Sequence, residues 1–216
     1  MLFRSHRVSI AVIKRLPKYY RYLGMIAEKG IIRISSQELS NITGLTASQI
    51  RQDLNHFGGF GQQGYGYNVE ELRGEIERII GINRDYNAVI VGAGNIGHAL
   101  AQYERFEGLG FMIIGMFDTD EEKIGEEFDG IPVYDQAELS TFIDKEKVDI
   151  VVITTPAHVA QQVADIAVDA GVKGIWNFAP VDLKVPEKVV VENVHLNESL
   201  FTLTYYINNQ SDYVPR

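Results

Sequence analysis

The chain has 216 residues, of which 45% are hydrophobic and 23% are charged, and its formal net charge is −9. These values are typical of a globular protein. The sequence has no apolar run of about 18 residues and no signal-peptide core, so we expect a cytoplasmic protein without a membrane span. Cysteine is absent, which excludes disulfides, thiolate nucleophiles and cysteine-ligated metals. Any redox response would therefore depend on a bound molecule.

Charge is distributed unevenly along the chain. Residues 1–68 hold nine Lys and Arg against three Asp and Glu, so the acidic excess lies in residues 69–216. A basic segment joined to an acidic one suggests two domains with different partners, and the basic segment suits nucleic acid. The alternative is chance clustering of basic side chains on a solvated surface.

The basic part begins with two predicted helices. The first covers residues 18–28, with Pro17 at its start and Gly30 at its end. Residues 35–38 form a Ser-x-x-Glu capping box that opens a second, shorter helix, with Ile42 expected on its inward face.

A third helix is predicted over residues 47–57, because Thr46 and Gln49 form another capping pattern and apolar residues recur at helical spacing. Two short helices joined by a turn match a helix-turn-helix, whose second helix enters the major groove. Arg can bind guanine there, and Gln or Asn can pair with adenine. The residues expected to contact DNA on or just after this helix are Ser48, Gln49, Arg51, Gln52, Asn55 and Phe57.

Five glycines interleaved with aromatic residues follow within residues 58–67. This pattern predicts a tight hairpin, and after a recognition helix a hairpin is a wing that follows the phosphate backbone. Gln62, Gln63 and Tyr65 are its expected DNA contacts. The alternative is a flexible linker, since glycine-rich segments often serve that purpose. A further helix begins at Asn68, and the domain boundary is placed after residue 82.

The most specific motif follows a short apolar strand at residues 88–91. It is Gly92-x-Gly94-x-x-Gly97, which leads into a helix, and Asp118 ends the next apolar strand about 20 residues further on. In this fingerprint the glycines allow a tight turn, close approach of the pyrophosphate, and close helix–strand packing. The expected cofactor residues in and near the loop are Gly92, Ala93, Gly94, Asn95, Ile96, Gly97 and Asp118.

Asp118 favours NAD over NADP. A carboxylate at this position accepts hydrogen bonds from the ribose hydroxyls and repels a 2′-phosphate, and no Arg follows it. The alternative is a glycine turn in an α/β fold that binds no dinucleotide.

Further buried strands are predicted at residues 149–154, 174–177 and 189–191, with a helix over residues 157–170. The expected fold class is therefore α/β, with a winged helix-turn-helix domain (1–82) and a Rossmann-type doubly wound parallel sheet (83–195). Ligands of such sheets bind beyond the carboxyl ends of the strands. The loop residues expected to line the nicotinamide end are Thr154, Thr155, Pro156, Phe178, Ala179 and Pro180.

Catalytic machinery is not apparent. There is no Tyr-x-x-x-Lys motif, the five histidines are dispersed, and little chain remains for a substrate domain. A cofactor site without a substrate site indicates a sensor and not an enzyme, although catalytic groups can come from anywhere in space. No metal site is predicted. The alternatives are a small NAD-dependent oxidoreductase and a Rossmann protein that binds CoA or another nucleotide.

The last segment, residues 196–216, is predicted to contain a helix over residues 198–208 capped by Asn197. Leu196, Leu200 and Leu203 begin an apolar stripe, which must be buried somewhere. The stripe packs either on its own domain or on a second subunit, and the second option suits a dimer that binds a two-fold operator.

The chain resembles the Rex family of redox-sensing repressors over nearly its whole length. The resemblance is carried by Arg15-Leu-Pro-Lys-Tyr-Tyr-Arg21, by Ser48-Gln-Ile-Arg-Gln-Asp-Leu54, by the glycine-rich segment 57–68, by Gly92–Gly97 and by Asn177-Phe-Ala-Pro180. It implies a homodimer that binds an inverted-repeat operator on double-stranded DNA and is released by NADH. It also implies control of fermentation and respiration genes, and a last helix that is swapped between subunits.

The resemblance further implies that Arg21 and Tyr103 couple NADH binding to domain rotation. Two departures from the family pattern concern the wing and the switch. Many relatives have basic residues where this chain has Gln62 and Gln63. The uncharged glutamines would lower the affinity of the wing for phosphate. Some relatives pair an Arg of the glycine loop with an acid before the last helix, whereas the corresponding residues here are Asn95 and His195.

Overall fold

The computed structural model describes residues 8–62, 65–103 and 106–212. The chain divides into two compact units, the first ending at Asn83 and the second beginning at Arg84. Gln63 lies outside the described residues, and so does the end of the tail after residue 212. Within the described residues, no helix is both long enough and apolar enough to cross a membrane.

The described residues of the N-terminal unit form four helices and a small antiparallel sheet of order β1-β3-β2. Its core is formed by apolar side chains from all four helices. A helix-turn-helix followed by a hairpin is the predicted winged arrangement, so that prediction is confirmed. The elements are α1 (Ile10–Glu28), β1 (Arg33–Ile34), α2 (Ser36–Thr43), α3 (Ala47–Asn55), β2 (Gly61–Gln62), β3 (Gly66–Asn68) and α4 (Val69–Ile80).

The first helix is longer than predicted. It begins after Ser9, whose side chain accepts from the backbone N–H of Val12, and Pro17 lies inside it. Pro17 removes one i→i−4 donor, but it is exposed, so water can satisfy the released carbonyl group. Buried residues that recur at helical spacing from Val12 to Ile26 hold the helix on the core, and this tertiary packing overrides the local signal of the proline.

Two details of the second and third helices also differ from the prediction. Ile42 is 44% exposed and does not face the core. The third helix ends at Asn55, and Phe57 lies beyond it, half-buried against the core. The Ser35–Glu38 capping box is present in both directions, as predicted.

The second unit contains a seven-stranded sheet of order β10-β9-β8-β4-β5-β7-β6, parallel except for the edge strand β6. Strand order reverses beside β4, so the sheet is doubly wound, and the predicted Rossmann-type fold is confirmed. Its elements are β4 (Tyr86–Val91), α5 (Asn95–Ala101), β5 (Phe111–Asp118), β6 (Glu127–Phe128), β7 (Ile131–Asp135), α6 (Leu139–Glu146), β8 (Ile150–Ile153), α7 (Ala157–Asp169), β9 (Gly174–Asn177), β10 (Val190–Asn193) and α8 (Leu196–Asn208).

The two faces of this sheet are covered differently. One face is packed by α6 and α7 over a continuous apolar core. On the other, the described residues that cover the sheet come from the short helix α5 and the segment near Phe106. Beside them lies an apolar groove of about 340 Å³. This groove is lined mainly by Phe106, Phe111, Ile150, Trp176 and Val190.

The C-terminal helix α8 has no buried residue. It begins at Leu196, so Asn197 lies within the helix and does not cap it. Leu200 and Leu203 are 55% and 54% exposed. In the single chain, therefore, the stripe is not buried on its own domain.

Candidate functional site

The recognition helix α3 presents a polar surface. Thr46 Oγ1 accepts from the backbone N–H of Gln49 at 3.1 Å, which fixes the first turn. Arg51 Nη1 donates to Ser36 Oγ at 2.8 Å, so the start of α2 steadies this guanidinium. Of the side chains predicted to read DNA, Gln49 is half-buried and four lie together at an open cleft. The cleft residues are Ser48, Arg51, Gln52 and Asn55, and His56 joins them.

The residues predicted to contact DNA from the wing differ in how exposed they are. Strands β2 and β3 pair as an antiparallel hairpin, and Tyr65 at its turn is 71% exposed. Gln62 belongs to β2, whereas Gln63 lies outside the described residues. Phe57 is half-buried and packs on the domain core.

The glycine loop has the geometry that the dinucleotide fingerprint requires. Gly92 has φ of 104°, and a Cβ at Gly97 would lie 2.2 Å from the carbonyl oxygen of Gly92. Only glycine fits these two positions. A Cβ at Gly94 would meet nothing within 4 Å, so the backbone there is open to an approaching ligand. The three glycines thus match the tight turn, the close helix packing and the pyrophosphate approach.

Asp118 lies at the carboxyl end of β5 and contacts the glycine loop. Its Oδ2 accepts from the backbone N–H of Ala93 at 2.8 Å, and its Oδ1 accepts from the backbone of Thr119 and Asp120. Burial raises the pKa of this carboxyl, but these hydrogen bonds and that of Lys123 lower it below the usual value. Asp118 is therefore a fixed anion at the place where the fingerprint puts the ribose.

Lys123 is a residue that the sequence interpretation did not identify. Its Nζ lies 3.2 Å from Asp118 Oδ2 and 3.4 Å from Asp120 Oδ2. The preference for NAD over NADP was predicted partly because no Arg follows Asp118, whereas a tight turn places a lysine beside this carboxylate five residues later. Two carboxylates surround it, so the local charge remains negative.

The neighbouring threonines at the end of β8 differ in role. Thr154 Oγ1 donates to the carbonyl oxygens of Gly92 and Val91, at 2.8 and 3.0 Å. Its hydroxyl therefore locks the glycine loop to the sheet. Thr155 is 8% exposed, and its buried hydroxyl has no hydrogen-bond partner among the described residues. Pro156 follows as the exposed N-cap of α7.

The loop after β9 is held by Asn177, which is fully buried. Its side-chain amide donates to Val181 O at 2.7 Å and to Asn193 Oδ1 at 2.8 Å, and its Oδ1 accepts from the N–H of Ala179. Asn177 was predicted only as part of the motif, and its role is structural. Around it, Phe178 is half-buried, Ala179 is buried and Pro180 is exposed.

Three loop residues that were predicted to bind the cofactor differ in accessibility. Ala93 is 1% exposed, so only its backbone reaches the surface of the site. Asn95 and Ile96 are exposed at the start of α5. One turn later the half-buried ring of His98 stacks on Phe128 with a 3.8 Å centroid distance.

The residues predicted to couple NADH binding to domain rotation are at least partly exposed. Arg21 lies on the exposed side of α1, with its guanidinium 5.0 Å from the ring centroid of Tyr22. Tyr103 is 48% exposed and packs on Phe106. His195 Nε2 lies 3.3 Å from Asp182 Oδ1, within its own unit.

Metal binding finds no support in the described residues, since no group of three or more His, Asp or Glu side chains converges there.

Two family models match the sequence. One is described as a CoA binding domain and covers residues 83–181. The other is described as a putative DNA-binding protein N-terminus and covers residues 7–55.

Curated relatives match over almost the whole chain. The redox-sensing transcriptional repressor Rex of Clostridioides difficile (strain 630) is 57% identical over 201 residues, which cover 93% of this chain and 96% of the relative. The repressor of the same name from Clostridium botulinum (strain Hall) is 56% identical over 205 residues, covering 95% and 98%.

Solved structures agree with this. RSP in complex with NAD⁺ and operator DNA has a TM-score of 0.91 and 51% identity, with 94% of each chain covered. RSP in complex with NADH has a TM-score of 0.88 and 48% identity, covering 96% of this chain and 97% of RSP. RSP is described as a Rex-family repressor. The identities extend over both units of the present chain, which belongs to the Rex family of redox-sensing transcriptional repressors.

Proposed function

We propose that this chain is a transcriptional repressor that binds an inverted-repeat operator through α3 and the β2–β3 hairpin, binds NAD(H) at the glycine loop, and leaves the operator when NADH binds. The observation that carries the proposal is the coexistence of a capped, polar recognition helix and a fully formed dinucleotide loop in one chain. The relatives described above are repressors, and RSP was solved with operator DNA and with each form of the cofactor.

The nucleotide site fits a dinucleotide on three grounds. The backbone at Gly94 is open, Asp118 presents a fixed carboxylate beside the loop, and the buried hydroxyl of Thr155 lacks a partner. A buried unpaired hydroxyl is costly, and a ligand group can satisfy it. In this proposal Asp118 accepts from the adenosine ribose, the loop backbone holds the pyrophosphate, and Thr155 donates toward the nicotinamide half.

CoA is a less suitable ligand for this site, although a family model of that description covers residues 83–181. CoA carries a 3′-phosphate on its ribose. Asp118 and Asp120 would face that phosphate with two carboxylates against the single cation of Lys123. The repulsion between these carboxylates and the 3′-phosphate disfavours binding of CoA.

Release by NADH requires that NADH bind the DNA-free conformation more tightly than the DNA-bound one, because a ligand with equal affinity for both states shifts no equilibrium. Redox sensing requires in addition that NAD⁺ favour the DNA-free conformation less than NADH does. The cofactor supplies the signal: its reduced ring is neutral and its oxidised ring is cationic. In the protein, Arg21 and Tyr103 are proposed to transmit the difference. His195 is held by Asp182, so the contact that some relatives make with an acid at this position takes a different form here.

We further propose that the chain is a homodimer whose α8 helices are exchanged. The stripe of Leu196, Leu200 and Leu203 is exposed in the single chain, and so is the apolar groove beside Trp176. Exposed apolar surfaces of this kind mark interaction sites. A two-fold dimer places two recognition helices about 34 Å apart, one turn of DNA.

A fluorescence-anisotropy titration on an inverted-repeat operator tests the repressor function. We expect tight binding of the chain alone, release on addition of NADH, and little effect of NAD⁺ or CoA at the same concentration. Binding that is indifferent to both redox forms would contradict the proposal. Consumption of NADH with an added aldehyde or ketone would favour the alternative of a small NAD-dependent oxidoreductase.

The dimer is tested by analytical ultracentrifugation of Leu200→Asp/Leu203→Asp. Two charges on the stripe cannot be buried, so we expect monomers where the natural chain sediments as a dimer. Exposed Thr202→Asp, on the side of the same helix away from the stripe, is the matched control and should remain dimeric. A wild-type chain that is monomeric at micromolar concentration would refute the exchange of α8.

A further inference from the structure

The recognition helix carries one charged residue that faces inward. Asp53 follows Arg51 and Gln52 in sequence, yet it is 2% exposed whereas those two side chains are open to solvent. A carboxylate is rarely buried to this degree unless it is paired. Its partners therefore indicate what the burial achieves.

Both partners come from α1. Arg15 donates from Nε to Asp53 Oδ2 at 2.6 Å and from Nη2 to Oδ1 at 2.7 Å, and Tyr19 Oη donates to Oδ2 at 2.7 Å. Arg15 and Tyr19 lie one helical turn apart, so they meet the carboxylate from the same face of α1. This is the bidentate geometry in which an arginine fixes a carboxylate in direction as well as in distance.

Protonation does not loosen the network near neutral pH. Burial raises the pKa of Asp53, but the hydrogen bonds from Arg15 and Tyr19 bring it below the usual value. Burial and the neighbouring carboxylate raise the pKa of Tyr19 well above its usual value. Asp53 is therefore an anion and Tyr19 a neutral donor over the whole physiological range.

Apolar packing alone gives α3 little orientation. The helix has nine residues, and its fully buried apolar side chains are Ile50 and Leu54, one turn apart. Two contacts on one line leave rotation about the helix axis weakly constrained. A buried ion pair adds little net stability compared with apolar packing, but it fixes geometry because its bonds are directional.

We propose that Arg15 and Tyr19 are positioning residues for DNA recognition. They hold Asp53 and so set the rotation of α3, which determines where Arg51, Gln52 and Asn55 meet the base edges. Arg15 belongs to the basic excess of the N-terminal unit, but its charge is used inside the domain and not on phosphate. This inference rests on the proposed binding of operator DNA by α3.

The variant Arg15→Met should lose affinity for the operator without losing affinity for DNA in general. We expect affinity for the operator to fall about tenfold or more, the effect of losing one well-placed base contact, while affinity for a scrambled duplex changes little. The dependence of binding on salt should keep its slope, because Arg15 contacts no phosphate. Lys18→Met, which removes the same charge from the same helix without touching Asp53, controls for net charge.

Stability is separated from positioning by the double variant Arg15→Met/Asp53→Leu in a Tyr19→Phe background, which replaces the ion pair by apolar packing and leaves no buried hydroxyl unpaired. Urea unfolding and NADH titration establish that it is folded and that the second unit is intact. We expect it to bind the scrambled duplex normally and to discriminate the operator about tenfold less well than the wild type. Tyr19→Phe, which removes one hydrogen bond, should show a smaller loss of the same kind.

Three outcomes overturn the inference. A folded double variant with wild-type discrimination would make the network a packing feature only. Equal loss on operator and scrambled duplex, with a shallower salt slope, would make Arg15 a phosphate contact. If the wild type itself does not distinguish the two duplexes, the proposed function fails instead, and residual dipolar couplings of α3 decide the positioning claim. Unchanged couplings between wild type and double variant would refute it.

Discussion

Each unit contains a carboxylate whose pKa is lowered although burial acts to raise it, but the two are built differently. Asp53 is enclosed by the side chains of Arg15 and Tyr19 within the first unit. Asp118 accepts mainly from backbone N–H groups at the edge of a loop, together with one half-exposed lysine, Lys123. The first carboxylate is 2% exposed and serves the fold, whereas the second is 14% exposed at the edge of the loop proposed to bind NAD(H).

The largest effect is expected on the DNA side of this comparison. Arg51→Ala removes the side chain best suited to a guanine, so operator affinity should fall about 10- to 100-fold or more, while NADH affinity is unchanged. Anisotropy on the operator and a separate NADH titration measure the two. Arg78→Ala, an exposed arginine paired with Glu75 on α4, is the matched control. Operator affinity that survives in the Arg51 variant would remove α3 from the interface.

On the nucleotide side, Asp118→Ala should weaken NADH binding about tenfold or more, since a hydrogen bond to a charged group contributes about 1.5–3 kcal/mol. Operator binding without cofactor should persist, and NADH should release the variant poorly. Calorimetric titration with NADH measures the loss. Asp120→Ala removes a neighbouring carboxylate that also contacts Lys123 and is expected to have the smaller effect. Equal effects of the two substitutions would contradict a specific role for Asp118.

The threonine pair sharpens the distinction between residues that build the site and residues that bind in it. Thr155→Val removes an unpaired hydroxyl, so NADH affinity should fall about two- to tenfold with no loss of stability. Thr154→Val removes the donor to Gly92 and Val91, so the second unit should become less stable. Fluorescence of Trp176, the single tryptophan, follows unfolding of that unit. A loss of stability in Thr155→Val together with a loss of NADH affinity alone in Thr154→Val would contradict these assignments.

The smallest expected effect is on acid stability. The pKa of Asp53 is lower in the folded chain than in the unfolded one, so its carboxylate stabilises the first unit above about pH 4. That contribution is lost as the pH falls through the folded-state pKa. Asp53→Asn should lower stability at pH 7 and flatten the decline between about pH 5 and pH 2, measured by hydrogen exchange of α3 amides. An unchanged pH profile would show that Asp53 does not titrate with folding.

Local patterns predicted the features that local geometry determines. The capping box at Ser35, the turn at Gly92 and the close packing at Gly97 each follow from a few adjacent residues. The family resemblance and the α/β class follow from these motifs in order. Pro17 could not be placed correctly, because its helix is maintained by long-range packing of the face that includes Leu16 and Leu23.

The details of the site were less predictable because they depend on residues far apart in the chain. The hydroxyl of Thr154 serves a loop 62 residues away, and Arg15 reaches Asp53 over 38 residues. His98 stacks on a strand residue that no helical pattern could identify. Lys123 lies five residues beyond Asp118, and the turn that follows β5 brings its ammonium back to that carboxylate.

The exposed stripe on α8 has a genetic consequence. Each copy carries its own Leu200 and Leu203, and Arg51 lies in the other unit. If the proposed exchange of α8 forms the dimer, a copy with Arg51→Ala keeps the means to pair. Expressed together with the natural protein, it would enter mixed dimers with one functional recognition helix each, and it would relieve repression even when the natural copies are present. Loss of DNA binding in this protein should thus be dominant, and loss of α8 recessive.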